Sequence, residues 1–290
     1  MGIYLNGKLV DKDKAVISVF DHGLLYGDGV FEGIRSYNCL VFKLKEHIDR
    51  LYRSAEAIEL KIPMTKTGMV KAVIGTLKAN SLRDAYIRLV VTRGHGDLGL
   101  DPRKCKIPTV FIITDKISLY PKEFYQNGLE IITAKTKRNL VAALNPKIKS
   151  LNYLNNILAK IDAINAGTEE AIMLTYDDYV AECTGDNIFI YSDGKLITPP
   201  DDVGALEGIT RNAVIGLAGK LGIKFEEKML RMKDVYAAGE VFLTGTAAEI
   251  VPVTIIDKRK INSGKPGKNT MRLMDEFKIL TKVDGVKYEV

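Results

Sequence analysis

Lys149 opens the segment Lys149-Ser150-Leu151-Asn152-Tyr153-Leu154-Asn155-Asn156, which sets a primary amine beside three carboxamides. Such an amine can serve as a nucleophile toward carbonyl compounds and as a proton carrier. Asn152, Asn155 and Asn156 are poor helix formers at the lip of an expected helix. Taken alone, the segment reads first as solvated surface, as most lysines are. Glu182 is the second feature. It lies inside the apolar run Tyr179-Val180-Ala181-Glu182-Cys183-Thr184, where a strand would bury it. A buried carboxylate needs a partner. That partner is an Arg or Lys of the protein, or a cationic ligand such as a pyridinium nitrogen. Two turns could hold an oxyanion. Gly208-Ile209-Thr210 begins an expected helix, whose free N–H groups and positive dipole end favour phosphate. Gly245-Thr246-Ala247-Ala248 follows an expected strand and offers amides and a hydroxyl. Each of these is also ordinary turn chemistry.

The elements that must carry these residues follow from periodicity. Asn6-Gly7 between residues 3–5 and 8–10 predicts a hairpin. Helices are expected over 46–60 and over 65–79, the latter with Thr65 as N-cap. Strands are expected at Ala85–Arg93 and Thr109–Asp115. Residues 117–128 read as a connector, with Pro121 and Gly128 as turn signals. Beyond it come strands at 129–134, 171–176, 179–183, 187–191, 195–198, 240–244 and 248–256. Helices are expected at about 151–165, from 208 onward, and near 268–281. The pattern is α+β in two lobes, with hairpin signals favouring antiparallel pairing. The expected domains are a small N-terminal α/β domain over 1–117, the connector over 118–128, and a larger β-rich C-terminal domain over 129–290.

Other chemistries fit poorly. Gly94-His95-Gly96-Asp97-Leu98-Gly99 satisfies G-x-G-x-x-G, but Asp101-Pro102 and Pro108 forbid the helix that a dinucleotide site must open. Three scattered cysteines (Cys39, Cys105, Cys183) and three histidines form no metal-ligand spacing, so no metal is expected. The formal charge of +6 is spread along the chain with no basic run, which disfavours nucleic acid and suits anionic small molecules. No apolar run could span a bilayer, and Met1–Leu9 lacks a signal pattern. A soluble, cytoplasmic protein is the expectation.

The ordered pieces Tyr26-Gly27-Asp28-Gly29-Val30-Phe31-Glu32-Gly33-Ile34-Arg35, His47-Ile48-Asp49-Arg50-Leu51, Ala85-Tyr86-Ile87-Arg88, Gly96-Asp97-Leu98-Gly99, Lys149 to Tyr153, Glu182 to Phe189, Leu206 to Arg211, and Gly245 to Glu249 run nearly end to end. In order and spacing the chain resembles the branched-chain amino-acid aminotransferases, class IV enzymes of fold type IV that use pyridoxal 5′-phosphate (PLP). The resemblance implies an α+β, two-domain fold like that of D-amino-acid aminotransferase. It implies that Lys149 forms a Schiff base with PLP and shuttles the proton. Glu182 would pair with the pyridine nitrogen, and Tyr153 with the phenolic oxygen. Arg50, Gly208, Ile209, Thr210 and Thr246 would hold the phosphate. Arg50 taken alone also reads as an exposed helix residue paired with Glu46.

For the substrate, the resemblance implies a side-chain pocket lined by Phe31 and Tyr86 with Tyr26 nearby. The α-carboxylate would meet the Thr246-Ala247 amides, and Arg88 would grip the second carboxylate of glutamate or 2-oxoglutarate. The implied reaction is ping-pong transfer from L-leucine, L-isoleucine and L-valine to 2-oxoglutarate. The implied assembly is a homodimer at least, with the loop Gly96–Leu100 reaching the neighbour. Within the fold, a D-amino-acid aminotransferase would carry an Arg-x-His trap where this chain reads Leu98-Gly99-Leu100. Aminodeoxychorismate lyase shares the lysine and the glutamate. Outside it, an NAD-dependent oxidoreductase rests only on the Gly94–Gly99 glycines.

Overall fold

Two β-sheets organise the chain. The structure is a computed structural model and describes residues 1–116 and 120–290. Residues 117–119, where the expected connector starts, lie outside the described residues. The chain forms two compact units: Met1–Ile117 with Ile148–Asn152 and Thr281–Val290, and Ser118–Lys147 with Tyr153–Leu280.

In the first unit, strands β1 (Gly2–Leu5), β2 (Lys8–Asp11), β3 (Gly29–Tyr37), β4 (Leu40–Phe42), β5 (Ala85–Thr92) and β6 (Thr109–Asp115) join the chain's last strand, β16 (Gly285–Lys287). Among the described residues they make a seven-stranded sheet in the order β16-β4-β3-β5-β6-β1-β2, antiparallel at every pairing. The hairpin turns at Asn6 and Gly7, both at positive φ (47° and 89°), as a type I′ turn requires. Helices α1 (His22–Tyr26), α2 (Leu44–Ala57) and α3 (Lys66–Ala79) complete the unit. Thr65 caps α3, its Oγ1 accepting from Gly68 N at 3.1 Å. Ile34, Leu44, Ile48, Leu51, Ile87 and Leu89 are among the fully buried side chains of this core. Each contributes about 1.5–3 kcal/mol by leaving water.

In the second unit, strands β7 (Leu129–Thr133), β8 (Glu170–Leu174), β9 (Val180–Cys183), β10 (Asn187–Ser192), β11 (Lys195–Thr198), β12 (Lys224–Glu227), β13 (Glu240–Gly245), β14 (Glu249–Ile256) and β15 (Arg259–Lys260) form the other sheet. Its path is β12-β11-β10-β13-β14-β7-β8-β9, with β15 on β14. Helices α4 (Lys122–Asn127), α5 (Leu154–Asn165), α6 (Ile209–Lys220), α7 (Met232–Tyr236) and α8 (Lys268–Leu280) belong to this unit.

Four features depart from the sequence reading. The connector contains α4, opened by Pro121 at φ −53°, an angle already suited to a helix start. The pairs β11–β12, β14–β7 and β7–β8 are parallel, so the sheet is mixed. The helix after Lys149 begins only at Leu154. Lys149 itself belongs to the first unit, because residues 149–151 run antiparallel beside β3. Phe31 N donates to Lys149 O at 3.0 Å, and Leu151 N donates to Gly29 O at 2.9 Å. No described helix is long and apolar enough to cross a membrane.

Candidate active site

Strand β3 divides its side chains between two faces. Val30, Glu32 and Ile34 point with Ile87 and Leu89 toward the core under α2. Phe31 and Gly33 point the other way, opposite Val90 and Arg88. On that second face the Arg88 guanidinium lies 4.7 Å from the Phe31 ring centre and 5.5 Å from that of Tyr86. Lys149 Nζ lies 4.4 Å from the same Phe31 ring. A Cβ on Gly33 would collide with the Tyr86 hydroxyl, so glycine keeps this floor low. Phe31, Tyr86, Arg88 and Lys149 are thus neighbours: two aromatic walls, a cation and an amine. Tyr26 directs its hydroxyl to Leu98 O at 2.5 Å and meets His22 edge-on. It holds the 96–100 loop of its own chain.

Arg50 is buried, not displayed on the outer face of α2. Glu46 pairs with Lys43 at 2.9 Å instead. Arg50 Nε and Nη2 each donate to Glu32 at 2.7 Å, and His47 Nδ1 lies 2.8 Å from Glu32 Oε2. Burial alone would push the Glu32 carboxyl up. The Arg50 and His47 charges beside it overcome this and hold it at about 2. His47 is held below its usual range, by burial first and then by the charges of Arg50 and Lys149, against the pull of Glu32. The ring is therefore neutral near pH 7 and donates its Nδ1 proton. Neither Glu32 nor His47 was singled out from sequence. Their signal was the polar residue at an inward position of each element.

In the second unit Glu182 is 5% exposed on β9. Its Oε1 meets Arg138 Nη2 at 2.7 Å, and its Oε2 accepts from Leu206 N at 3.0 Å. Arg138 also donates to Gly204 O, Asn155 Oδ1 and Asn156 Oδ1 at 3.2, 3.1 and 2.9 Å. The asparagines after Lys149 therefore have work that sequence reasoning did not assign. Asn155 and Asn156 fix Arg138, while Asn152 donates to Gly27 O at 2.9 Å. Arg138 itself was missed, since nothing in its local sequence marks it. Tyr153 precedes α5 as its N-cap.

Helix α6 starts after Gly208, which supplies no side-chain cap, so the N–H groups of its first turn face outward. A Cβ on Gly208 would overlap Asn187 Oδ1. Asn187 pairs across the sheet with Thr244. Thr244 Oγ1 is buried and has no hydrogen-bond partner among the described residues. Thr246 and Ala247 follow two and three residues later in the turn from β13 to β14. The Gly94–Gly99 stretch opens no helix. A Cβ on Gly94, at φ 91°, would strike Ile107 O, and the chain runs on to a short 3-10 turn at Pro102–Lys104.

The model of the family described as amino-transferase class IV matches residues 29–256. The chain belongs to this family. This aminotransferase is 55% identical over 287 residues to a Methanocaldococcus jannaschii protein, covering 99% of each. It is similar to the branched-chain amino acid aminotransferase of Escherichia coli, with a TM-score of 0.94 and 33% identity over 99% of this chain and 97% of that one. It is similar also to the T.th. branched-chain amino acid aminotransferase, which has been solved with pyridoxamine 5′-phosphate. There the TM-score is 0.93 and the identity 35%, over 97% and 94% of the two chains. The T.th. protein has further been solved with N-(5′-phosphopyridoxyl)-L-glutamate and with 4-methylvaleric acid. The aminotransferase therefore has the α+β fold of type IV, and the dinucleotide alternative is closed.

Proposed function

We propose that this aminotransferase transfers the amino group of L-leucine, L-isoleucine or L-valine to 2-oxoglutarate, with PLP as cofactor. The observation that carries the proposal is the grouping of Lys149 Nζ and Arg88 on one Phe31 ring, beside Tyr86. An apolar wall with a single cation suits both an aliphatic side chain and a second carboxylate. The names of the E. coli and T.th. relatives support the same substrates, as does the T.th. complex with a glutamate adduct.

The residues present fit the cofactor. Buried Thr244 Oγ1 and the uncapped start of α6 are donor groups awaiting an acceptor. The amides of Ile209 and Thr210, the hydroxyl of Thr246, Gly208 at the turn, and Arg50 would hold the phosphate. Tyr153 would donate to the phenolic oxygen. Glu182, paired with Arg138, would accept from a protonated ring nitrogen. When bound, PLP supplies an electron sink for the charge left at the substrate Cα. Lys149 would hold the cofactor through Nζ, and as a free amine the same Nζ would take the proton from the substrate Cα and carry it away from that carbon. Phe31 and Tyr86 orient the side chain, with Tyr26 at the margin. The Thr246-Ala247 amides receive the α-carboxylate, and Arg88 the distal carboxylate of the oxo acid.

The chain would act in the cytoplasm as a homodimer at least, presenting the loop Gly96–Leu100 to its neighbour. Leu98 and Leu100, 69% and 78% exposed, support that role. Steady-state rates with L-leucine and 2-oxoglutarate test the whole reading. Parallel reciprocal plots are expected from a ping-pong reaction. Turnover of D-alanine in place of L-leucine would exclude the branched-chain assignment.

A further inference from the structure

The buried side of α2 carries three polar groups at i, i+3 and i+7: His47, Arg50 and Ser54. A helix packed on a sheet ordinarily buries apolar side chains there. Each of the three has a defined partner within the first unit. His47 and Arg50 converge on Glu32, which is 0% exposed. Ser54 Oγ accepts from Lys149 N at 3.1 Å. One helix face thus joins the carboxylate, the guanidinium and the main chain of the reactive lysine.

We propose that Glu32 is a positioning residue for the cofactor phosphate: it locks the Arg50 guanidinium in the plane from which the other N–H groups meet that phosphate. The proposal rests on the assignment of Arg50 to the phosphate. Its physical basis is geometric. A guanidinium has five N–H donors in a rigid fork. Glu32 takes one from Nε and one from Nη2, a two-point contact that fixes both direction and plane. His47 Nδ1 meets Glu32 Oε2, the oxygen that also takes Arg50 Nη2, and this third contact ties the carboxylate to α2 independently of the arginine. Stability alone is a poor reason for this cluster. A buried ion pair costs desolvation that a hydrophobic replacement avoids. Orientation is what the apolar replacement could not supply.

Charge argues in the opposite direction, which makes the idea decidable. Glu32 is an anion near an anion-binding arginine. Were it only a counter-charge, its removal would tighten phosphate binding. A positioning role predicts weaker binding.

The test is equilibrium binding of PLP and of pyridoxal, which lacks the phosphate, to the full-length cofactor-free protein. The variants are Glu32→Gln, Glu32→Asp, Arg50→Gln and, as a control on the same helix, Glu46→Gln. Circular dichroism melts monitor folding. Glu32→Gln is expected to weaken PLP binding about tenfold or more, the scale on which supporting partners of ligating groups act. Pyridoxal binding stays within about twofold of wild type by the same scale. Glu32→Asp keeps the charge but shortens the reach, so it is expected to show the same selective loss even if Glu32→Gln folds poorly. Glu46→Gln leaves both affinities unchanged. Equal losses for PLP and pyridoxal, unchanged PLP affinity, or tighter PLP binding in the Glu32 variants would overturn the positioning role. If Arg50→Gln spares the PLP-to-pyridoxal ratio, the phosphate assignment of Arg50 falls first. If Arg50→Gln changes that ratio and the Glu32 variants do not, Glu32 alone is excluded.

Discussion

Arg138 Nη2 sits 2.7 Å from Glu182 Oε1, with both side chains buried and Arg138 held from the other side by Asn155 and Asn156. The carboxylate proposed to serve the cofactor ring thus has a buried cationic partner in its own unit. Removing the arginine leaves a buried anion without its cation. Arg138→Met is expected to lower unfolding free energy by about 3–5 kcal/mol, read by urea denaturation. It is also expected to weaken PLP retention in dialysis. A variant as stable as wild type would mean that Glu182 does not depend on this partner.

Arg88 leads to a prediction that separates the two half-reactions. Its guanidinium lies over Phe31 and Tyr86, where a distal carboxylate would reach it. Arg88→Met is expected to lower kcat/KM for 2-oxoglutarate by roughly 10- to 100-fold, the worth of one charged hydrogen-bonded contact. The half-reaction with L-leucine is expected to change far less. Stopped-flow single turnovers from each side measure both. Equal losses would assign Arg88 to the aromatic wall alone.

The Glu32–His47 pair predicts acid sensitivity. Both groups titrate lower in the folded chain than in the unfolded one, Glu32 at about 2 against an ordinary 4.5, and His47 below its ordinary 6.5. The unfolded chain therefore binds protons first as pH falls, and stability drops with it. The contribution of both is complete above about pH 6.5. The histidine part is lost first, just below that value. The carboxylate part is lost from about 4.5 down toward about 2. Urea midpoints of the cofactor-free protein are expected to fall between pH 7 and pH 5. In His47→Gln that early decline flattens. An undiminished slope in the variant would place the proton uptake elsewhere.

The sequence foretold what local chemistry controls. Asn6-Gly7 makes its turn through positive φ, and Thr65 caps α3 through its own hydroxyl. Glu182 was expected to be buried with a cation, and it is. What stayed hidden depends on distant partners. Arg138 sits eleven residues before Lys149 among other basic residues, and only folding turns it toward Glu182. Glu32 belongs to a recognisable motif, yet its role emerges only when α2 lies across β3. Lys149 was expected at a helix lip, but its neighbours join the edge of β3 through backbone bonds that no side-chain pattern records. The three parallel strand pairs were invisible for the same reason, since hairpin signals report only antiparallel neighbours.

The central claim is that Lys149 holds PLP and moves the substrate proton. The absorption spectrum of the purified, PLP-loaded protein tests it most directly, read beside Lys149→Ala. Wild type is expected to show a band near the visible edge that moves when L-leucine is added and returns with 2-oxoglutarate. Lys149→Ala is expected to bind PLP and turn over nothing. A wild-type spectrum indifferent to L-leucine, or normal turnover by Lys149→Ala, would contradict the account.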